Sequence, residues 1–208
     1  MPLQTCPEWE YENHPRRAVL PQRIAEVLRD LGVGRIDTLA VARDSREVHQ
    51  RIFVELTPQG FEYYAGHYRG ELYYCLRSYE VSIRSDPRVG APSHAVGWLM
   101  RDLRAEVEVG LKAIDANVSL KVDEKLRYIV ALACHVFELS LRVHPYANGN
   151  GHAARFVVWS MFLRYGHWPR KWPIEPRPPD PPYTDLITRY RSGDKLPFEQ
   201  YMLTTLIP

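Results

Sequence analysis

The stretch FVVWSMFLRY, residues 156–165, is apolar on almost every side, and a helix without a polar face is one that the rest of the protein buries. The spacing therefore predicts a central helix, and the segments around it have helical periods of their own. Leu126, Ile129, Val130, Ala133, Phe137 and Leu141 stack on one face and predict a long helix over Asp123–Leu141. Val96, Leu99, Met100, Leu103, Val107 and Leu111 predict another over Pro92–Ala116. Shorter helices are expected over Pro21–Leu31, stopped by Gly32 and Gly34, over Ser45–Leu56 with Ser45 as N-cap, and over Pro197–Leu206. The tract HWPRKWPIEPRPPDPPY, 167–183, is excluded from helix and central strand because proline removes donors and fixes φ.

One section departs from this pattern. Residues 60–85 are rich in tyrosine, and Tyr79, Val81 and Ile83 alternate with Glu80, Ser82 and Arg84, the period of a half-buried strand or hairpin. The expectation is an all-α fold with one small β-hairpin. Residues 1–45 read as an N-terminal arm and short helix, ahead of a domain over 46–208.

A net charge of +2 with scattered basic residues provides no stripe for a nucleic-acid backbone, so no nucleic-acid partner is expected. The longest apolar run, Tyr128–Phe137, is interrupted by His135 and too short for a bilayer, so no membrane partner is expected either. The start lacks the apolar core of a signal peptide. Cys6, Cys75 and Cys134 are odd in number, widely spaced and free of any CxxC pair, which argues against a disulfide framework and for a reducing, cytoplasmic setting. Export by a route that leaves no such signal stays open.

HPYANGNGHAAR, 144–155, joins the long helix to the central one. Gly149 and Gly151 admit positive φ and close approach of a ligand to the main chain. N–H groups at a helix start, aided by the helix dipole, bind anions, and Asn150 adds an amide donor. His144 precedes the turn, and an unperturbed pKa of about 6.5 suits a general base near neutral pH. Arg155, one turn into the helix, can clamp a phosphate. Pro145 and Tyr146 anchor the loop. A bare Gly-Asn-Gly turn would be only a connection; a base, a cradle and an arginine together point to phosphate chemistry.

These residues resemble the signature of the Fic (Fido) family, H-P-F-x-[DE]-G-N-G-R-x-x-R. The helix ending HVFELSLRVHPY, the GHYRGE at 66–71, RSYEVSIRS at the place of the family's flap hairpin, and the proline-led PSHAVGWLMRDL extend the likeness over roughly residues 60–165. The resemblance implies an all-α Fic-like helical fold with a small β-hairpin flap. It implies transfer of AMP, or of another phosphate-containing group, from a nucleotide donor such as ATP to a hydroxyl of a protein substrate. His144 would deprotonate that hydroxyl. Gly149, Asn150 and Gly151 would hold the donor's phosphate, Arg155 would support its outer phosphates, and Tyr79, Glu80, Val81, Ser82 and Ile83 would register an extended target segment.

Two positions depart from the pattern. Asn148 stands where the family's Mg²⁺-binding acid stands, and a neutral amide is a weak ligand for a hard cation. His152 replaces the first arginine and lacks its fork. Both losses fall on a magnesium triphosphate tail. They leave open a donor with a differently held leaving group, AMP transfer at reduced rate, or a Fic-like pseudoenzyme that binds nucleotide or protein without chemistry. The family's inhibitory string [ST]-x-x-x-E-[GN] is absent: Glu12-Asn13 is the nearest pair, but Glu8 stands where Ser or Thr is needed. A separate antitoxin-like chain could then supply any restraint, and the altered motif equally permits none.

Four further readings rest on the residues alone. His67, His94, His135 and His144 lack zinc-hydrolase spacing, and His135 in an apolar helix reads as a core histidine. Arg69 is either close to the motif or a surface cation beside a turn. The tyrosines from 63 to 79 form a recognition surface or aromatic core. PRPPDPP, 176–182, offers a polyproline ligand or a plain connection.

Overall fold

The computed structural model describes residues 5–83 and 86–206. Eight α-helices follow one another: α1 Leu20–Gly32, α2 Thr38–Arg43, α3 Arg46–Phe53, α4 Ser93–Ala116, α5 Val122–Val143, α6 Asn150–Arg164, α7 Tyr183–Arg191 and α8 Leu196–Leu206. The fold is all-α, with no strand among the described residues.

α6 is the central helix the sequence demands. Its residues from His152 to Phe162 are all buried, and α5, α2, α3 and α1 pack around it. α4 packs against α5 and α2, and α8 packs against α5 and α7. α5 starts with Glu124 Oε2 accepting from the Lys121 N–H at 2.9 Å, which satisfies one of the orphan donors of a helix start. The short α2 and α7 carry too few turns for a periodic signal and were not expected; α7 begins at Tyr183, where the proline tract ends.

The expected hairpin does not form among the described residues. Residues 79–83 run without strand pairing, and Arg84 lies outside the described residues. The returning chain has another partner: Gly90 N–H donates to Arg142 O at 2.9 Å and Ala91 N–H to Val143 O at 3.1 Å, both on the last turn of α5. Orphan carbonyls at a helix end and the amides of residues 90–91 satisfy each other, which leaves none of that pairing for a second β-strand.

The arm is more firmly fixed than its composition suggests. Trp9 is buried among Phe53, Tyr64 and His49, and its indole N–H donates to Leu56 O at 2.7 Å. Cys6 and Cys75 form a disulfide across 69 positions. That bond overturns the reading of three unlinked thiols, and the inference from free cysteines to a reducing compartment falls with it. Pairing of residues so far apart leaves no spacing signal. Cys134 is free and buried, as an apolar helix face requires. His135 is no core histidine: it is partly exposed and bonds Glu106 at 2.8 Å. No helix among the described residues is long and apolar enough to cross a membrane.

Candidate functional site

α5 ends at Val143 because residue 145 is proline, which disfavours the helical region for the residue before it. His144 takes the left-handed conformation instead, φ 53° and ψ 61°, a strained place for a residue with a Cβ that costs on the order of 1–3 kcal/mol. The surroundings hold it there. Its Nδ1–H donates to Leu141 O at 2.8 Å, so Nε2 carries the lone pair and has no partner among the described residues. Burial is the main cause pushing the His144 pKa below its ordinary value, with Arg69 and Arg191 adding repulsion against the Leu141 hydrogen bond. A neutral imidazole with a fixed tautomer and a bare Nε2 is a base in waiting.

Arg69 fixes the histidine's main chain. It is fully buried, with Nε donating to His144 O at 2.8 Å, Nη2 to Val143 O at 3.0 Å and Ala91 O at 2.9 Å, and Nη1 to Tyr79 O at 3.0 Å. A guanidinium on the last carbonyls of α5 also complements the helix dipole. The surface-cation reading of Arg69 is thereby corrected. One side chain ties the histidine turn to residue 79 and to the chain before α4.

The turn itself is braced from below by His49, which periodicity alone marks only as a polar residue on a buried face. Gly66 N–H donates to its Nδ1 at 3.0 Å, and its Nε2–H donates to Asn148 O at 2.9 Å. The ring stacks on Tyr146 at 3.7 Å between centroids, and burial pushes its pKa down to about 3. Tyr146 is fully buried and its hydroxyl meets Ser45 Oγ at 2.8 Å, so Ser45 serves the loop and does not cap α3 with its side chain.

Gly149 has φ 74°, and a Cβ there would overlap the Phe53 ring. Gly151 is helical; its role is space, since a Cβ would stand 3.1 Å from Arg155 Nη1. Asn150 does not offer its amide to a guest. Its Oδ1 accepts from Tyr146 N–H at 2.8 Å and its Nδ2 donates to Tyr146 O at 2.9 Å, locking the loop. The main-chain N–H groups of Asn150, Gly151 and His152, at the start of α6, have no partner among the described residues. Arg155 is buried, donates Nε to Ile174 O at 3.0 Å and approaches Tyr183 Oη at 3.5 Å. It makes no ion pair among the described residues.

Asn148 and His152 are engaged by the protein. Asn148 Nδ2 donates to Trp9 O at 2.8 Å and lies 3.4 Å from Glu12, while its Oδ1 accepts from Gly149 N–H at 2.7 Å. His152 Nε2–H donates to Glu175 Oε2 at 2.8 Å, and Glu175 also receives Arg17 at 2.7 Å. Burial pushes the His152 pKa down, against the pull of Glu175. These residues do not fit Mg²⁺: the one oxygen at the family's acid position is neutral and already holds a hydrogen bond.

Two clefts meet at His144. One, of about 580 Å³, has Gly149, Gly151, His152, Arg155, Arg17 and Arg177 in its wall. The other, of about 650 Å³, runs along Tyr79, Glu80, Val81, Ser82 and Ile83 and is bounded by arm residues Cys6 to Glu10. The N–H groups of Glu80 to Ile83 have no hydrogen-bond partner among the described residues. Although the hairpin is absent, the expected flap residues thus lie beside the histidine with free donors.

The fold has a counterpart among solved structures. A Fic domain containing signaling protein from Bacteroides thetaiotaomicron superposes with a TM-score of 0.61 at 20% identity, over 89% of this chain and 67% of that one. The fold is Fic-like. No protein-family model and no curated protein sequence matches the chain. In this Fic-like fold the motif loop, the residue 79–83 segment and the arm converge on a single imidazole.

Proposed function

We propose that this Fic-like protein transfers a phosphate-containing group, AMP or another, from a nucleotide donor to a protein hydroxyl. The observation that carries the reading is that His144, with its bare Nε2, lines both clefts. The donor's phosphate sits against the free amides of residues 150–152 and the Arg155 guanidinium, where dipole and cation favour an anion. The acceptor segment lies along residues 79–83 and pairs with their main chain. The hydroxyl oxygen attacks phosphorus, its proton passes to Nε2, and the bond from phosphorus to the leaving phosphate breaks with the electron pair on that phosphate. General-base assistance of this kind contributes about 10²–10⁴-fold.

Because Asn148 and His152 are held by Trp9 and Glu175, a donor with a short diphosphate link, held without a divalent cation, fits better than a magnesium triphosphate. The same engagement favours a second reading, a binding module without chemistry. Labelled ATP, UTP, GTP and a CDP-alcohol, each with and without Mg²⁺ or Mn²⁺, decide between them when added to the protein in lysate and alone. Transfer is expected with at least one donor, and to fall by about 10²–10⁴-fold in His144→Asn, a substitution that tolerates the left-handed backbone. If no donor labels any protein while nucleotide still raises the melting temperature, the binding module stands and the transferase does not.

A further inference from the structure

The cleft on the acceptor side has a charge pattern of its own. Among the described residues its charged lining consists of Glu8, Glu10 and Glu80, with neither lysine nor arginine. In a chain with 27 basic and 25 acidic residues, such one-sidedness is a local property. Glu8 and Glu10 form no ion pair among the described residues. Glu80 has a buried cation nearby, Arg69 Nη1 at 3.6 Å, but its own side chain is 60% exposed. Its oxygens accept from Ser93 N–H at 3.0 Å and Ser93 Oγ at 2.7 Å, which holds the carboxylate in one place at the cleft edge.

The other two carboxylates are exposed, and it is the main chain carrying them that is held. They flank the buried Trp9 on the arm segment that follows the Cys6–Cys75 disulfide; Glu10 Oε2 accepts from Asn13 Nδ2 at 2.5 Å, and Pro7 O accepts from Tyr64 Oη at 3.2 Å. The arm wall therefore faces the residue 79–83 segment across the cleft, with carboxylates on both sides of any chain lying between them. Fixed charges of one sign in a concave site attract the opposite sign and reject the same one.

We infer that the acceptor is a polypeptide segment with lysine or arginine beside the modified hydroxyl, its cation lying among Glu8, Glu10 and Glu80. The inference rests on the transferase reading for the word acceptor, while the preference itself is a matter of binding. An acidic segment meets three carboxylates, and a neutral one forgoes their attraction.

The test separates the two. Fluorescently labelled serine peptides with lysine flanks, glutamate flanks or neutral flanks are titrated with the full chain, without donor, at low and high salt. The lysine peptide is expected to bind at least ~10-fold tighter than the glutamate peptide, with the gap closing at high salt. The double variant Glu8→Lys/Glu10→Lys, both positions outside the His144 machinery, should abolish or invert the preference while its melting temperature holds. Equal binding of the three peptides, no binding of the lysine peptide at millimolar concentration, or an unchanged preference in the double variant overturns the inference. Discriminating binding without label from any donor leaves it standing and removes the transferase. Label on acidic and basic acceptors alike does the reverse.

Discussion

The two clefts that meet at His144 are of similar size and opposite character. Among the described residues, one carries Glu8, Glu10 and Glu80 with no arginine, and the other carries Arg17, Arg155 and Arg177 against Glu12 and Glu175. In the second cleft Arg17 is paired with Glu175 and Arg177 with Asp180, so Arg155 and the amides of α6 hold the uncommitted positive character. A single neutral imidazole stands where a cation-seeking groove and an anion-seeking pocket join. If the proposed transfer holds, the contrast teaches that donor and acceptor would be sorted by charge before any chemistry, and that the histidine would need no charge of its own to serve both.

The sharpest way to break this contrast is at the junction. His144→Asn should lower transfer by about 10²–10⁴-fold while circular dichroism and the affinities for pyrophosphate and for lysine peptide stay put. If transfer survives, the base lies elsewhere. Next is the tie between the two sides. Arg69→Met leaves the carbonyls of Tyr79, Ala91, Val143 and His144 without their buried donor, and a loss of about 3–5 kcal/mol in urea unfolding is expected. A change below ~1 kcal/mol would mean that water replaces the guanidinium without penalty.

Reduction of Cys6–Cys75 acts on one side. A loop of this length implies about 4 kcal/mol of lost stability in the chain-entropy account, and the lysine-peptide preference should shrink as the arm loosens. Pyrophosphate affinity should change less, because Arg155 and the α6 amides are not on the arm; an equal loss on both sides would show that the clefts are not independent. Arg155→Gln acts on the other side, with pyrophosphate affinity in calorimetry expected to fall by about 1.5–3 kcal/mol and peptide binding to hold.

Acidification is the mildest probe. Burial holds His49, His144 and His152 below the ordinary 6.5, so the unfolded chain binds protons more readily than the folded one. Stability is intact above pH 6.5 and is lost as pH falls through the lowered folded values. Glu175, lowered chiefly by the His152 hydrogen bond, adds the same sign below 4.5. Urea midpoints should therefore fall from neutral pH toward about 4, and transfer should show an acid limb below 6.5 as Nε2 of His144 protonates. Midpoints that stay level or rise on acidification contradict the buried neutral rings.

The motif loop was legible because its parts are neighbours in the chain. Pro145 stops α5, Gly149 supplies the positive φ, and Arg155 follows one turn into α6. The long helices were legible for the same reason, since a period of 3.6 is a local property. The hairpin was misread because alternation at Tyr79, Val81 and Ile83 describes one strand and says nothing of whether a second is free to pair; Gly90 and Ala91 had found α5. Asn150 was misread as a donor to a guest because a side chain four residues from its partner, Tyr146, can turn inward as easily as outward.

What the sequence by itself determined is the all-α scaffold and a histidine followed by an amide cradle and an arginine, all set by contacts within a few turns of chain. Tertiary structure decided the rest: the His49 brace, the Arg69 staple, the Cys6–Cys75 bond and the opposite charge of the two clefts. Each joins residues at least 10 positions apart, and contacts over such separations form only when the whole core closes, so no local pattern encodes them.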